Sequence, residues 1–178
     1  MNSEVQASKD APVLSKETTE NPHHILADSS LTDERMRVLK HGDTVSLGGT
    51  TLRALHTPGH TQGATTWMTT VEDKGRRYTV AFLGGTTPNG GVPLFDNPRH
   101  KSVIEDTQRT FSTLKGETPP DIYLVGHPQA MFMGKVERIK AGDSPHPLLN
   151  SDAWTKQIVD GEANFAKRVA EERAKLGK

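Results

Sequence analysis

Two histidines stand where a folded chain can hold a metal ion. His60 closes the turn His56-Thr57-Pro58-Gly59-His60, which follows one strand-like run and precedes another. Pro58-Gly59 breaks any helix there, so His56 and His60 do not read as ligands one helical turn apart. A side chain held on a Pro-Gly turn at a sheet edge is rigid, and metal ligands benefit from rigidity. His127, in Val125-Gly126-His127-Pro128, directly follows a short apolar run. It therefore stands at the carboxyl end of a strand, where α/β folds gather their sites. A lone histidine after a strand is more often a hydrogen-bonded structural residue. Two in equivalent contexts bring the metal reading level with that one. His56 is expected on its strand, bonding locally. His23, His24, His41, His100 and His146 fall in loops and are expected at the surface.

The elements that must hold these residues follow from hydrophobic spacing. Residues 44–47 and 50–56 flank Gly48-Gly49, a hairpin signal because tight primed turns need positive φ. Residues 64–71 and 76–83 form a second hairpin around a turn at 72–75, with Tyr78, Val80 and Phe82 on one face. Residues 84–100 read as loop. Ser102-x-x-Glu105 reads as a capping box opening a helix, with Ile104, Gln108, Phe111 and Leu114 on one face and Gly116 as its terminal glycine. Pro119-Pro120 precedes a short apolar strand over 121–125, of the kind buried in a sheet. A short helix is expected over 131–140. A long terminal helix follows, with Trp154, Ile158, Phe165, Val169 and Leu176 inward and Lys167, Arg168, Glu171, Glu172 and Arg173 solvated. Strands, helix, strand, helices make a mixed α/β domain over 36–178. Residues 1–35 read as a loosely structured segment, loop with one short helix.

Composition bounds what such a domain does. The 178 residues carry 22 Lys+Arg against 22 Asp+Glu and no Cys. A nucleic-acid binder that works by neutralising phosphates needs a basic excess, so that class is set aside. Disulfides and thiolate metal sites are excluded. No run approaches the roughly 18 consecutive apolar residues of a membrane span. The first ten residues are polar and lack the apolar middle of a signal peptide, so any export signal is expected on sequence outside this chain.

The motifs, taken in order, resemble those of the metallo-β-lactamases, most closely the third, tri-histidine subclass. The resemblance rests on Asp43-Thr44-Val45-Ser46-Leu47-Gly48-Gly49, Thr57-Pro58-Gly59-His60-Thr61, Gly85-Thr86-Thr87-Pro88-Asn89, Asp96-Asn97-Pro98, Ile104-Glu105-Asp106, Arg109-Thr110-Phe111 and Gly126-His127-Pro128. It implies part of an αββα sandwich, two zinc ions in a groove, and hydrolysis of a β-lactam amide by zinc-bound hydroxide. By the same resemblance His60 matches a ligand of the first zinc and His127 a ligand of the second. Thr86, Thr87 and Asn89 fall where a substrate carboxylate binds; read by themselves they are equally an ordinary polar loop. The resemblance also implies a periplasmic or secreted enzyme acting on a small β-lactam or another ester or amide, with no nucleic acid and no membrane as partner.

The family's His-x-His-x-Asp-His motif does not occur in this sequence. One expected ligand per metal is short of the three or four that zinc sites normally use. The N-terminal strands that carry that motif are expected to be absent, and the isolated chain is expected to be inactive. The alternative is a metal-free binding or regulatory remnant that pairs with another chain. Either way Val45, Leu47, Leu52, Trp67, Val80 and Phe82 are expected to lie open where a second layer would cover them.

Overall fold

In the computed structural model of the chain, residues 5–8, 36–126, 132 and 134–177 are described. Strand β1 (Val5–Ser8) pairs in parallel with β2 (Met36–Leu39) as a separate two-stranded sheet. A strand at Val5–Ser8 departs from the loop and helix expected before residue 36. The pairing partner lies 31 positions along the chain, so no local pattern announces it. The remainder of 1–35 lies outside the described residues.

The two hairpins form as their turn residues dictate. Strands β3 (Thr44–Leu47) and β4 (Thr50–His56) join through Gly48 and Gly49, at φ +56° and +83°. Such angles suit a residue without a Cβ. Strands β5 (Thr65–Asp73) and β6 (Arg76–Leu83) extend beyond the expected ends, and their turn narrows to Lys74-Gly75. Strand β7 (Ile122–Val125) adds to β6 in parallel, giving the sheet order β3-β4-β5-β6-β7. The expected buried strand is thus an edge strand, half-buried along its length.

Helix α1 (Val103–Gly116), helix α2 (Val136–Lys140) and helix α3 (Ser151–Lys175) complete the described elements. One face of the five-stranded sheet packs on α1 and α3. Ala81 and Leu83 meet Val103, Phe111 and Leu114 from α1 and Trp154, Ile158 and Phe165 from α3. Met68, Tyr123 and Val125 pack at the edge of this cluster. A T-shaped contact of 6.0 Å joins the Tyr123 and Trp154 rings. Arg53 on β4 makes a two-pronged ion pair with Glu117, at 3.0 and 2.5 Å, tying the sheet to the end of α1. No helix among the described residues is long and apolar enough to cross a membrane.

The α1 boundaries differ from expectation. Ser102 sits at the N-cap position but its side chain caps no backbone amide; its hydroxyl donates to the Asp106 carboxylate instead. Gly116 is the last helical residue, with no left-handed turn, and Glu117 follows in extended backbone. The buried stripe is Val103, Thr107, Thr110, Phe111 and Leu114, with Ile104 half-buried and Gln108 exposed. Threonine therefore fills inward positions that a purely apolar reading passes over. Of the short helix expected over 131–140, Val136–Lys140 is helical, and residues 131 and 133 lie outside the described residues.

The other face of the sheet carries the row Trp67, Phe82 and Leu124, in register across β5, β6 and β7. Phe82 is 44% exposed although β6 is an inner strand, and Leu47 is 81% exposed. Val45, Leu52 and Trp67 are half-buried. Val80, expected to lie open, is buried at 7%.

Candidate functional site

Buried threonines build the turn that carries His60. Thr57, Thr66, Thr107 and Thr110 are each fully buried. Thr57 and Thr66 share a hydroxyl contact of 3.0 Å, and Thr66 accepts from the Gly84 amide. The Thr110 hydroxyl on α1 donates to the Pro58 carbonyl, which docks the Pro-Gly turn on the helix. His56 lies on β4, and its Nε2 donates to the Gln62 carbonyl at 2.8 Å, the local bond expected of it.

The His60 ring is fixed by its own hydrogen bond. Its Nδ1 lies 2.9 Å from the Thr87 carbonyl. A carbonyl oxygen only accepts, so Nδ1 carries the proton and Nε2 of the neutral ring holds a lone pair. That tautomer suits metal ligation. Gly85 leaves room for the ring: a Cβ there would stand 2.5 Å from His60 Cγ and 2.6 Å from its Cβ. Gly59 likewise admits the Thr86 carbonyl, which a Cβ would meet at 2.8 Å.

His60 lines a cavity of about 720 Å³ with Gly84, Gly85, Thr86, Asn89, Val125 and Gly126 among its walls. The carboxyl ends of β6 and β7 both open into it. Of the expected substrate-binding residues, Thr86 and Asn89 line this space. Thr87 acts instead through its main-chain carbonyl on His60. His127 lies outside the described residues; Gly126, immediately before it, is in the wall.

The described donors do not by themselves make a zinc site, and His127 lies outside them. Among the described residues no three His, Cys, Asp or Glu side chains cluster as a metal site, so His60 stands as a single imidazole.

The loop over 84–100 is held by residues of α1 and α3 and by its own His100. His100, expected at the surface, is buried, and its Nε2 meets Asp106 Oδ2 at 2.7 Å. Asp106 also accepts from the Ser102 hydroxyl and from Arg109. Arg168 donates to the Pro88 and Val92 carbonyls, and Glu172 accepts from the Leu94 amide. Both lie on the helix face expected to be solvated, and each bonds across more than 75 positions. His41 and His146 are exposed as expected; His23 and His24 lie outside the described residues.

Asp106 gives the loop an acid limit. Burial pushes its carboxyl up, but hydrogen bonds from His100 and Ser102 and the charges of Arg109 and His100 outweigh that and hold it below the usual range. A carboxyl depressed in the folded state stabilises the protein above its unfolded pKa, about 3.9, and loses that contribution as pH falls through the folded value. Urea unfolding at neutral pH and below pH 4 should therefore show acid destabilisation. Asp106→Asn should cost about 1–3 kcal/mol at neutral pH and flatten the acid dependence; an unchanged pH slope would remove Asp106 from this role.

No family model matches the sequence. Solved structures do. BJP-1, a subclass B3 metallo-β-lactamase of Bradyrhizobium japonicum, is 31% identical with a TM-score of 0.71, covering 79% of this chain and 52% of that one. A mutant of the FEZ-1 metallo-β-lactamase from Legionella gormanii is 30% identical with a TM-score of 0.69, covering 76% of this chain and 51% of that one. A probable metallo-hydrolase of Burkholderia pseudomallei is 39% identical over 66 residues, 35% of this chain and 22% of that protein. The chain thus spans about half the length of the solved relatives and under a quarter of that metallo-hydrolase. With its five-stranded sheet, its helices on one face and these likenesses, the chain carries part of the metallo-β-lactamase fold.

Proposed function

We propose that this chain supplies one half of a β-lactamase-like hydrolase site and is catalytically silent as an isolated polypeptide. The observation that carries the reading is His60. Its ring is held in the tautomer that leaves Nε2 open, in a cavity at the carboxyl ends of β6 and β7, with no second and third ligand beside it among the described residues. In the completed site the Thr86 hydroxyl and the Asn89 amide would hydrogen-bond a substrate carboxylate, and His60 and His127 would be the ligands this half brings. Alone, one imidazole per zinc ion does not hold it tightly, and no hydrolytic step is assigned to the chain by itself.

The second reading is a metal-free pairing module. It is favoured by the half-open apolar face, where Phe82 on an inner strand is 44% exposed. Large side chains left in water are characteristic of interaction surfaces.

Zinc titration by calorimetry, with nitrocefin as substrate, tests both. The expected result for the chain alone is neither tight binding of two zinc ions nor turnover. Two equivalents bound with turnover would sink the proposal. Supplying a polypeptide that carries the first half of a matched enzyme separates the readings: turnover supports the half-site, and association without zinc uptake supports the pairing module.

A further inference from the structure

The loop over 84–100 carries Asn89-Gly90, a pair with a chemistry of its own. An asparagine side chain that swings onto the next main-chain nitrogen exposes its amide carbon to attack by that nitrogen. The reaction needs a small following residue, an N–H that no acceptor holds and a side chain that no partner fixes. Asn89 and Gly90 are both exposed. Among the described residues nothing accepts from the Gly90 N–H, and no hydrogen bond holds the Asn89 side chain. A Cβ at Gly90 would meet nothing within 4 Å, so there is room about the attacking nitrogen. The chain is anchored on either side, where Arg168 takes the Pro88 and Val92 carbonyls at 2.8 and 2.6 Å. Between those anchors, among the described residues, the main chain is restrained by one bond from the Val92 amide to the Asn89 carbonyl. At 3.2 Å it is at the long end for such a bond.

The other described asparagines lack these conditions. Asn97 precedes Pro98, whose nitrogen carries no hydrogen. Its side chain is also spent on the Pro93 carbonyl and on the Arg99 and His100 amides. Asn150 caps α3, its side-chain oxygen accepting from the Ala153 amide at 3.0 Å. Asn164 lies inside α3, where the following nitrogen belongs to the buried Phe165 and is committed to the helix.

We propose that Asn89 is a self-modification site, at which the Gly90 main-chain nitrogen closes on Asn89 Cγ and the residue passes through a succinimide to isoaspartate and aspartate. The nitrogen gives up its proton, the N–Cγ bond forms and the Cγ–Nδ2 bond breaks. Ammonia leaves with the proton. Water then opens the ring at either carbonyl, so one water is consumed, one ammonia is released and nothing is oxidised or reduced. Opening at the main-chain carbonyl gives isoaspartate, with an extra methylene in the main chain between the two carbonyls that Arg168 holds. Opening at the side-chain carbonyl gives aspartate. Either product puts a carboxylate, which only accepts, where an amide donor stood in the cavity wall. A substrate carboxylate there would meet a like charge. That consequence rests on the half-site reading; the reaction itself does not.

The full chain would be incubated at neutral and at mildly alkaline pH and digested with trypsin. Mass spectrometry would follow the peptide Tyr78–Arg99, which holds both Asn89 and Asn97. The mass gain that replaces NH₂ by OH is expected at Asn89, with isoaspartate identified by fragmentation, while Asn97, Asn150 and Asn164 stay intact. The rate should rise with pH, because the Gly90 nitrogen must lose its proton. It should lie close to the rate of the same chain in urea, because the fold does not restrain the pair. Gly90→Ala, whose added Cβ meets no neighbour, should keep a folded spectrum. It should slow the conversion roughly tenfold or more, about 1.4 kcal/mol on the barrier. No gain at Asn89, a native rate far below that in urea, an unchanged rate in Gly90→Ala, or a gain without isoaspartate would each overturn the proposal. Neither zinc nor a β-lactam enters the experiment, so its failure leaves the half-site reading standing.

Discussion

Replacing Trp154 by Ala is expected to lower the free energy of unfolding by about 3–5 kcal/mol, the usual cost of emptying a large aromatic site in a core. Trp154 is 2% exposed and meets the Tyr123 ring edge-on. It also joins Ile158 and Phe165 of α3 to Phe111 and Leu114 of α1 over Ala81 and Leu83 of the sheet. The effect is large because the described hydrophobic cluster lies on one face of the sheet only. The opposite face leaves Phe82 and Val71 at 44% and 41% exposure and adds correspondingly little. A loss of that size is a large share of the roughly 5–15 kcal/mol that holds an ordinary domain together. Urea unfolding followed by the remaining Trp67 measures it. Val159→Ala, half exposed on the same helix, is the control and should stay within about 0.5 kcal/mol of the parent. A Trp154→Ala midpoint close to the parent's would mean that α3 does not seal the sheet.

Where the sequence foretold the fold, the signal was local chemistry. Gly48-Gly49 and Gly75 give turns because positive φ is cheap for glycine, so both hairpins are legible, although Lys74 also takes φ +51° and Val80, expected to lie open, is buried. Trp154, Ile158 and Phe165 declared the inner face of α3 through helical spacing alone. Signals that depend on distant partners are not legible in local spacing. Ser102 and Glu105 have the spacing of a capping box, yet the Ser102 hydroxyl finds the Asp106 carboxylate, already gathered with His100 and Arg109. Short-range spacing does not rank a cap against a buried carboxylate that needs donors. Arg168 and Glu172 sat in a charge run, and charge runs usually face water; their bonds to the 88–95 loop depend on how α3 lies across the domain. The parallel pairing of β1 with β2 left no mark in either segment.

The candidate site divides the same way. The Pro58-Gly59 turn marked His60 at once, because a rigid turn after a strand is readable. What fixes the ring was not readable: the Thr87 carbonyl and the space above Gly85 come from a loop beginning more than twenty positions later. Thr87 offers a hydroxyl in the sequence but meets His60 through its backbone carbonyl.

That space sets the last expectation. Gly85→Ala should dislodge His60 from its hydrogen bond and cost about 1–3 kcal/mol as an overpacked position. The added methyl would stand 2.5 Å from His60 Cγ and 2.6 Å from His60 Cβ. The second atom is joined to the main chain, so a ring flip does not relieve the clash; the turn or the loop must move. Either movement lengthens the 2.9 Å bond from Nδ1 to Thr87, and without that carbonyl the proton is free to reside on either ring nitrogen. The ¹⁵N shifts of the imidazole report this directly. The parent should show a single tautomer protonated at Nδ1, and Gly85→Ala a mixture or the Nε2-protonated form. Gly90→Ala in the same loop is the matched control, since a Cβ there meets nothing within 4 Å and should leave both the tautomer and the stability unchanged. A Gly85→Ala protein that keeps the parent tautomer would show that the loop yields to His60, and that the orientation of the ring is set by the Pro-Gly turn without help from the loop above it.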